Sequence, residues 1–323
     1  MAQVVRSVPP GAGVDEFRLD GYVALVTGAG RGIGAGIAQA FARAGADLVL
    51  VARTVTDLGD VAAAVRALGR TASVIPADLT DVSRVAKLVE RAIAERGRLD
   101  ILVNNAGGAT PAGYLDTTPE ALDEAFHFNV AAPFELTKRA TPYLLDSGRG
   151  SVVNITSRMD RLTARGMVTY GTVKAAFAQL TRLLAVELAP GVRVNGIAPG
   201  VVETDGLTEV LTDELRARIV SATPLHRLAT VADVASTARW LASPAASYVT
   251  GKVIEIDGGA EAPCSPTPVF PDAAPDLRPA QPRTQARRFR SRAGSSGWPG
   301  RQASRQRCSG ERCYQARSRR GRP

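Results

Sequence analysis

The sequence predicts a single α/β domain: a doubly wound, seven-stranded parallel sheet with helices on both faces, followed by a disordered C-terminal tail. Three observations point there. Short apolar runs alternate with helix-like segments over residues 17–260. The runs are continuous in Val, Ile and Leu rather than alternating with polar residues, the pattern of strands covered on both faces. No internal repeat or linker interrupts the series, so one layered sheet accounts for it.

Residues 22–27 (YVALVT) form the first strand and run into glycines. A helical pattern over about 33–44 closes on Gly45, a natural C-terminal stop. Residues 47–52 (DLVLVA) are a second buried strand, and the amphipathic stretch 58–68 ends before Gly69. The short run 73–76 is β-like; 82–96 reads as helix, with Asp78 or Asp81 available as its cap. Residues 99–103 make the fourth strand. The stretch 119–145 reads as one long helix or a pair, with Pro133 and Pro142 as expected breaks. Residues 151–155 are a strand, 169–188 a helix that stops before Pro190, and 192–197 a strand. A helix over 233–241 and a last strand over 253–256 lead to Asp257-Gly258-Gly259.

Charge divides the chain at the same place as the pattern. Residues 261–323 hold fourteen Arg, no Lys and four acids, while residues 1–260 balance 26 basic against 27 acidic residues. The formal charge of +9 is therefore a property of the tail. All three cysteines (Cys264, Cys308, Cys313) lie there too, which excludes a disulfide framework or a Cys metal site in the body. The two histidines, His127 and His226, stand far apart, so no metal site is expected. No apolar run approaches the roughly 18–20 residues that span a bilayer, and residues 1–20 lack the apolar core of a signal peptide. A reducing, cytoplasmic setting without a membrane partner is the expectation. Residues 1–16 read as a flexible arm, 17–260 as the domain. The tail, with nine of the chain's Pro, is too sparse in apolar residues to repay ordering. Its abrupt shift to Arg, Pro, Ser and Gly is how a high-GC frame looks when translated out of frame; a frameshifted or extended gene end is favoured over a nucleic-acid-binding arm.

Between the first strand and the first helix lies Thr27-Gly28-Ala29-Gly30-Arg31-Gly32-Ile33-Gly34. The glycines at 28, 32 and 34 allow the backbone to approach a pyrophosphate at a helix N-terminus. An ordinary tight βα turn is the bland alternative, disfavoured by the position after strand one. The second strand ends Ala52-Arg53-Thr54, without the acid that would take the ribose hydroxyls of NAD. Arg53 and Arg31 suit a 2′-phosphate instead, so NADP(H) is preferred, with NAD(H) as the alternative.

These residues resemble the short-chain dehydrogenase/reductase family over about residues 17–259. The TGAGRGIG turn resembles the family's TGxxxGxG, and Asn104-Asn105-Ala106-Gly107 its NNAG. Ser157, Tyr170 and Lys174 match its Ser and Tyr-x-x-x-Lys with the usual thirteen-residue gap. Asn129 stands where the family's helix-four Asn is expected, Pro199-Gly200 with Val202 and Thr204 matches the segment holding the nicotinamide carboxamide, and the closing DGG is present. The resemblance implies a Rossmann-type NAD(P)-binding domain in which Gly28, Arg31, Gly32, Ile33, Gly34, Arg53, Asn105, Ala106 and Gly107 contact the cofactor, with Asp78 and Leu79 near the adenine. It implies Tyr170 as general acid/base, Ser157 orienting the carbonyl oxygen, Lys174 binding the nicotinamide ribose, and Asn129 holding a water that links Lys174 to solvent. A homotetramer or homodimer, formed through the helix after Thr169 and the closing strand, is likewise implied.

The residues make chemical sense of this. Tyr170 and Lys174 are four apart and share a helix face. A neighbouring ammonium, joined by an oxidised nicotinamide, is expected to lower the phenol from its usual pKa near 10. His226 and Arg227 are expected in a loop joint, His127 as a packed helix residue. Segments 17–21, 194–200 and 243–247 are similar to bacterial 7α-hydroxysteroid dehydrogenases, although those often use NAD. The substrate pocket is expected between 158–168 and a flexible stretch 202–215; Arg158, Arg161 and Arg165 there suggest an anionic or carboxylate-bearing alcohol or ketone. The runners-up are a 3-oxoacyl thioester reductase and a non-catalytic NADP-binding or nucleic-acid-binding protein acting through its tail.

Overall fold

The computed structural model describes residues 15–208 and 211–261. Most of the expected N-terminal arm, and the tail after Glu261, lie outside the described residues. Seven parallel strands form the sheet: β1 (Val23–Thr27), β2 (Asp47–Ala52), β3 (Ala72–Pro76), β4 (Ile101–Asn104), β5 (Gly150–Ile155), β6 (Val192–Pro199) and, closing it, Val253–Ile256. Two further strands, β7 (Val202–Glu203) and β8 (Ala229–Thr230), pair with each other in a separate two-residue ladder, so the closing strand is β9. The order is β3-β2-β1-β4-β5-β6-β9. Winding reverses between β1 and β4, and an open sheet of this kind offers a crevice there, at its carboxyl edge.

The alternation of side chains along each strand explains the two layers. Ala24 and Val26 of β1 face one apolar cluster and Val23 and Leu25 the other. The first cluster is completed by helices α1 (Gly32–Ala44) and α2 (Val55–Ala67) and by the helix Val231–Ala242. The second is completed by α3 (Val82–Arg96), by Leu136, Ala140 and Leu144 of the helix Ala132–Asp146, and by Ala185 of the helix Val168–Leu188. Numbered in chain order with the short helices Pro119–Phe126 (α4), Asp205–Thr208 (α7) and Asp213–Ala222 (α8), these later helices are α5, α6 and α9.

Two expectations need correction. The stretch 119–145 is a pair of helices, but Pro142 breaks nothing: it sits inside α5. Three fully enclosed residues on the same face (Leu136, Ala140, Leu144) hold α5 onto the sheet. Burial of each Leu contributes about 1.5–3 kcal/mol, which offsets the roughly 3 kcal/mol cost of an internal Pro. The break falls instead before Pro133, in a π-helical turn, His127–Ala131. The second concerns 202–215, expected as a flexible stretch. Among its described residues it contains β7 and α7 and runs into α8, which is capped by Thr212 accepting the Leu215 N–H at 3.2 Å.

Candidate active site

The glycine turn leaves β1 at the carboxyl edge of the sheet. Thr27 ties it to the loop after β4: its hydroxyl donates to the Val103 carbonyl at 3.1 Å and accepts the N–H groups of Asn105 (2.9 Å) and Ala106 (3.1 Å). Asn105 answers by donating its amide to the Thr27 carbonyl at 2.9 Å. This crowding demands glycine at 28, where a Cβ would stand 2.7 Å from Asn105 Nδ2, and again at 34. A Cβ on Gly34 would stand 2.2 Å from the Gly28 carbonyl oxygen and 2.6 Å from Asn105 Nδ2. Gly34 is thus required by the packing of the turn itself.

The start of α1 is left open to an anion. Arg31 occupies the N-cap in extended conformation without a side-chain cap, and no acid lies in the first turn. The leading N–H groups of a helix lack intrahelical acceptors and carry a partial positive charge. Arg31, Gly32 and Ile33 line a cleft of about 570 Å³ that continues past Asn105 and Gly107. Arg53, one residue beyond β2, is exposed, as is Arg31. These features fit a phosphorylated dinucleotide. Asp78 and Leu79, at the end of the loop after β3, lie outside that cleft; Asp78 accepts from the Thr80 N–H (3.0 Å) and hydroxyl (2.9 Å) in a local turn, and Leu79 packs on the second core cluster. Gly28, Ala106 and Arg53 likewise do not line it.

Ser157, Tyr170 and Lys174 meet on the far wall of the same cleft. Ser157 leaves β5 in extended conformation, its hydroxyl accepting the Met159 N–H at 3.2 Å and hydrogen-bonding Tyr170. Lys174, buried on α6, donates to the Ile155 carbonyl at 3.1 Å, and its Nζ lies 5.7 Å from the centre of the Tyr170 ring. A Cβ on Gly107 would meet Lys174 Nζ at 3.1 Å and Asn129 Oδ1 at 2.7 Å, so only glycine lets these side chains converge. Asn129 sits in the π-turn, a device that recurs at functional sites. All its bonds shown go to backbone: its amide donates to the carbonyls of Gly108 (2.8 Å) and Ala125 (2.9 Å), and its oxygen accepts the Gly108 N–H at 2.9 Å. Pro199, Gly200, Val202 and Thr204 line the cleft at the end of β6 and beyond.

The electrostatics differ from expectation. Burial pushes the Tyr170 phenol above its usual range, the nearby Asp160 charge adds to this, and the Ser157 hydrogen bond only partly opposes it. Lys174 is pushed down to about 8, again by burial. Sequence spacing revealed that the two share a face but not that both are desolvated, the stronger effect here. Asp160 had gone unrecognised. It is three residues after Ser157, accepts from Thr156 at 3.3 Å, and is itself raised by partial burial.

Other placements divide. Of the three arginines expected in the pocket, only Arg158 lines it; Arg161 turns away to bond Glu255 at 2.7 Å, with Asp257 and Glu261 each 3.8 Å off, and Arg165 is exposed. His127 is exposed rather than packed, its Nε2 3.0 Å from the Thr80 carbonyl. His226, at φ 50°, and Arg227, paired with Asp233 at 2.7 Å, form the loop joint as expected. Asn104, first of the four motif residues after β4, serves the core: it bonds Thr137 (3.1 Å) and Asn154 (2.9 Å).

The family model adh_short_C2, described as Enoyl-(Acyl carrier protein) reductase, matches residues 28–261. The chain belongs to the short-chain dehydrogenase/reductase family. It is an oxidoreductase of the kind that acts on alcohol and ketone groups. It is 50% identical over 266 residues to an uncharacterised oxidoreductase of Mycobacterium tuberculosis, covering 82% of this chain and 99% of the relative. A 7α-hydroxysteroid dehydrogenase of Escherichia coli K12 is 38% identical over 246 residues (76% and 96%). A solved 7α-hydroxysteroid dehydrogenase, complexed with NADH and 7-oxo glycochenodeoxycholic acid, superposes with a TM-score of 0.75 at 37% identity, covering 78% of this chain and 98% of that one. Among the described residues no helix is long and apolar enough to cross a membrane, and no cluster of His, Cys, Asp and Glu could hold a metal ion.

Proposed function

We propose that this short-chain dehydrogenase/reductase interconverts a secondary alcohol and a ketone with a preference for NADP(H). The observation that carries the reading is the convergence of the Ser157–Tyr170 hydrogen bond and the buried Lys174 in one cleft with the open N-terminus of α1. When bound, the nicotinamide supplies or accepts the hydride. Tyr170 gives its proton to the carbonyl oxygen in reduction and takes it back in oxidation, and Ser157 holds that oxygen. Lys174 binds the nicotinamide ribose and, as an ammonium, favours the phenolate when oxidation requires it. Asn129 fixes the Gly108 backbone, the residue after the Gly107 that faces Lys174.

The absence of an acid at the end of β2, with Arg53 exposed there and Arg31 exposed at the head of α1, supports a 2′-phosphate, although the solved relative holds NADH. Leu183 and Val186 on α6 stay exposed, which supports a homodimer or homotetramer through that helix. The second reading is a 3-oxoacyl thioester reductase, favoured by a 3-oxoacyl-[acyl-carrier-protein] reductase of Thermotoga maritima that is 35% identical over 244 residues. A panel of ketones, steroids and acyl thioesters, each with NADPH and NADH and followed at the nicotinamide absorbance, tests both. Turnover of a ketone with NADPH supports the proposal; no turnover of any carbonyl with either cofactor refutes it.

A further inference from the structure

Resting on that reading of the cleft, we propose that Asp160 is a positioning residue for the proton transfer: it locks the turn that carries Ser157 and places a negative charge near Tyr170 and Lys174. Asp160 closes the short 3₁₀ turn Arg158–Asp160. Its N–H donates to the Ser157 carbonyl at 2.9 Å, and its Oδ2 accepts from the Thr156 hydroxyl at 3.3 Å. Thr156 stands between the two residues that hold the catalytic pair: the Ile155 carbonyl accepts from Lys174, and the Ser157 hydroxyl bonds Tyr170. Thr156 is also tied to β6, its N–H (2.7 Å) and hydroxyl (3.0 Å) both reaching the Ile197 carbonyl. The turn packs directly on α6, where a Cβ on Gly171, the neighbour of Tyr170, would meet the Met159 carbonyl at 3.3 Å. Asp160 therefore holds both ends of the segment that sets Ser157 against Tyr170.

Its charge has no competitor in the cleft. Among the described residues no Asp or Glu lines that cleft, and Asp160 acts on both Tyr170 and Lys174. A nearby carboxylate disfavours the phenolate and favours the ammonium, so it keeps a proton on each. The other charges around Asp160 are Arg158 and Arg161 on either side of it in the chain, Arg182 further along α6, and Glu255 on β9. Arg161 is itself bound to Glu255 through two nitrogens. Burial raises the Asp160 carboxyl from its ordinary value, yet the phenol titrates at alkaline pH, where a half-buried carboxyl is ionised. Two groups as close as Tyr170 and Lys174 titrate as a pair, and loss of a neighbouring negative charge moves both steps to lower pH.

The test uses the full chain in two arms. In the first, the single-turnover rate of ketone reduction by NADPH is followed against pH in the wild type, Asp160→Asn and Asp160→Ala, with the best ketone of the panel above. Asn keeps an acceptor for Thr156 and removes only the charge. The alkaline limb, where Tyr170 loses its proton, should move to lower pH by about 0.3–1 unit in Asp160→Asn. Ala removes the acceptor as well, so its plateau rate should fall about 3- to 10-fold below that of Asp160→Asn, with NADPH affinity equal in the two. A limb in Asp160→Asn that stays at the wild-type pH or moves up, or plateaus that are equal in the two variants, overturns the proposal. In the second arm, the Tyr170 phenolate is titrated by tyrosinate difference absorbance in NADP⁺-saturated protein. Wild type and Asp160→Asn are each read against the same chain carrying Tyr170→Phe, which isolates one of the six tyrosines. Phenolate that appears at lower pH in Asp160→Asn supports the proposal, and phenolate at the wild-type pH or above overturns it. The second arm needs no turnover, so a failure of the reductase reading and a failure of this inference give different results.

Discussion

Replacing Lys174 with Met should abolish activity and yet leave the protein as stable as the wild type, or more so, near neutral pH. Lys174 is buried and its pKa falls from the ordinary 10.5 to about 8. At 1.36 kcal/mol per unit, keeping it charged below about pH 8 costs the folded state roughly 3 kcal/mol. Met removes that cost and fills a similar volume. It also strips the Ile155 carbonyl of its donor, a loss of about 1–3 kcal/mol. The difference between the two proteins should depend on pH in a defined sense. A folded pKa below the unfolded one means that the unfolded chain binds more protons between the two values. Wild-type stability therefore rises with pH relative to the variant, from about pH 8 towards 10.5. Between about pH 7 and 9.5 the gain is about 2 kcal/mol, equivalent to roughly 4–8 °C in Tm for a domain of this size. Thermal unfolding of both proteins at matched concentration, without cofactor, reads it directly. A difference that stays flat over that range would show that Lys174 titrates as a solvated lysine, and the account of its burial would fall.

Arg53→Asp should weaken NADPH binding by about tenfold or more, through loss of a phosphate partner and gain of a repelling charge, while improving binding of NADH; fluorescence titration of both nucleotides checks it, and an unchanged ratio would remove Arg53 from the cofactor site. Gly34→Ala places a methyl group 2.2 Å from the Gly28 carbonyl oxygen. It should cost about 1–3 kcal/mol in stability and weaken nucleotide binding with it, measured by urea unfolding and the same titration.

Strand β2 was legible because burial on both faces leaves little choice of residue type, and it has the boundaries that its apolar run implies. The catalytic grouping was legible because Ser157, Tyr170 and Lys174 are spaced along the chain in a recognisable way, and the structure brings them together in one cleft. What stayed hidden depends on contacts between distant segments. Helix α8 buries only Ile219, so it has little apolar pattern to read; its start was marked only by Thr212 and the acids Asp213 and Glu214 of its first turn. Nothing local announces the π-turn around Asn129, whose hydrogen bonds go partly to Gly108, twenty-one residues away. The fate of Arg161 is decided by Glu255 on β9, ninety-four residues on. The direction of the Tyr170 shift follows from depth of burial, which spacing on a helix does not report.

The account stands most directly on Tyr170. Single-turnover reduction of a carbonyl substrate by Tyr170→Phe, monitored at the nicotinamide absorbance alongside a titration of NADPH, isolates the proton-transfer role from cofactor binding. The prediction is a fall in the rate of about 10²- to 10⁴-fold with nucleotide affinity unchanged. Turnover at the wild-type rate would contradict it, and would place the proton donor elsewhere in the cleft.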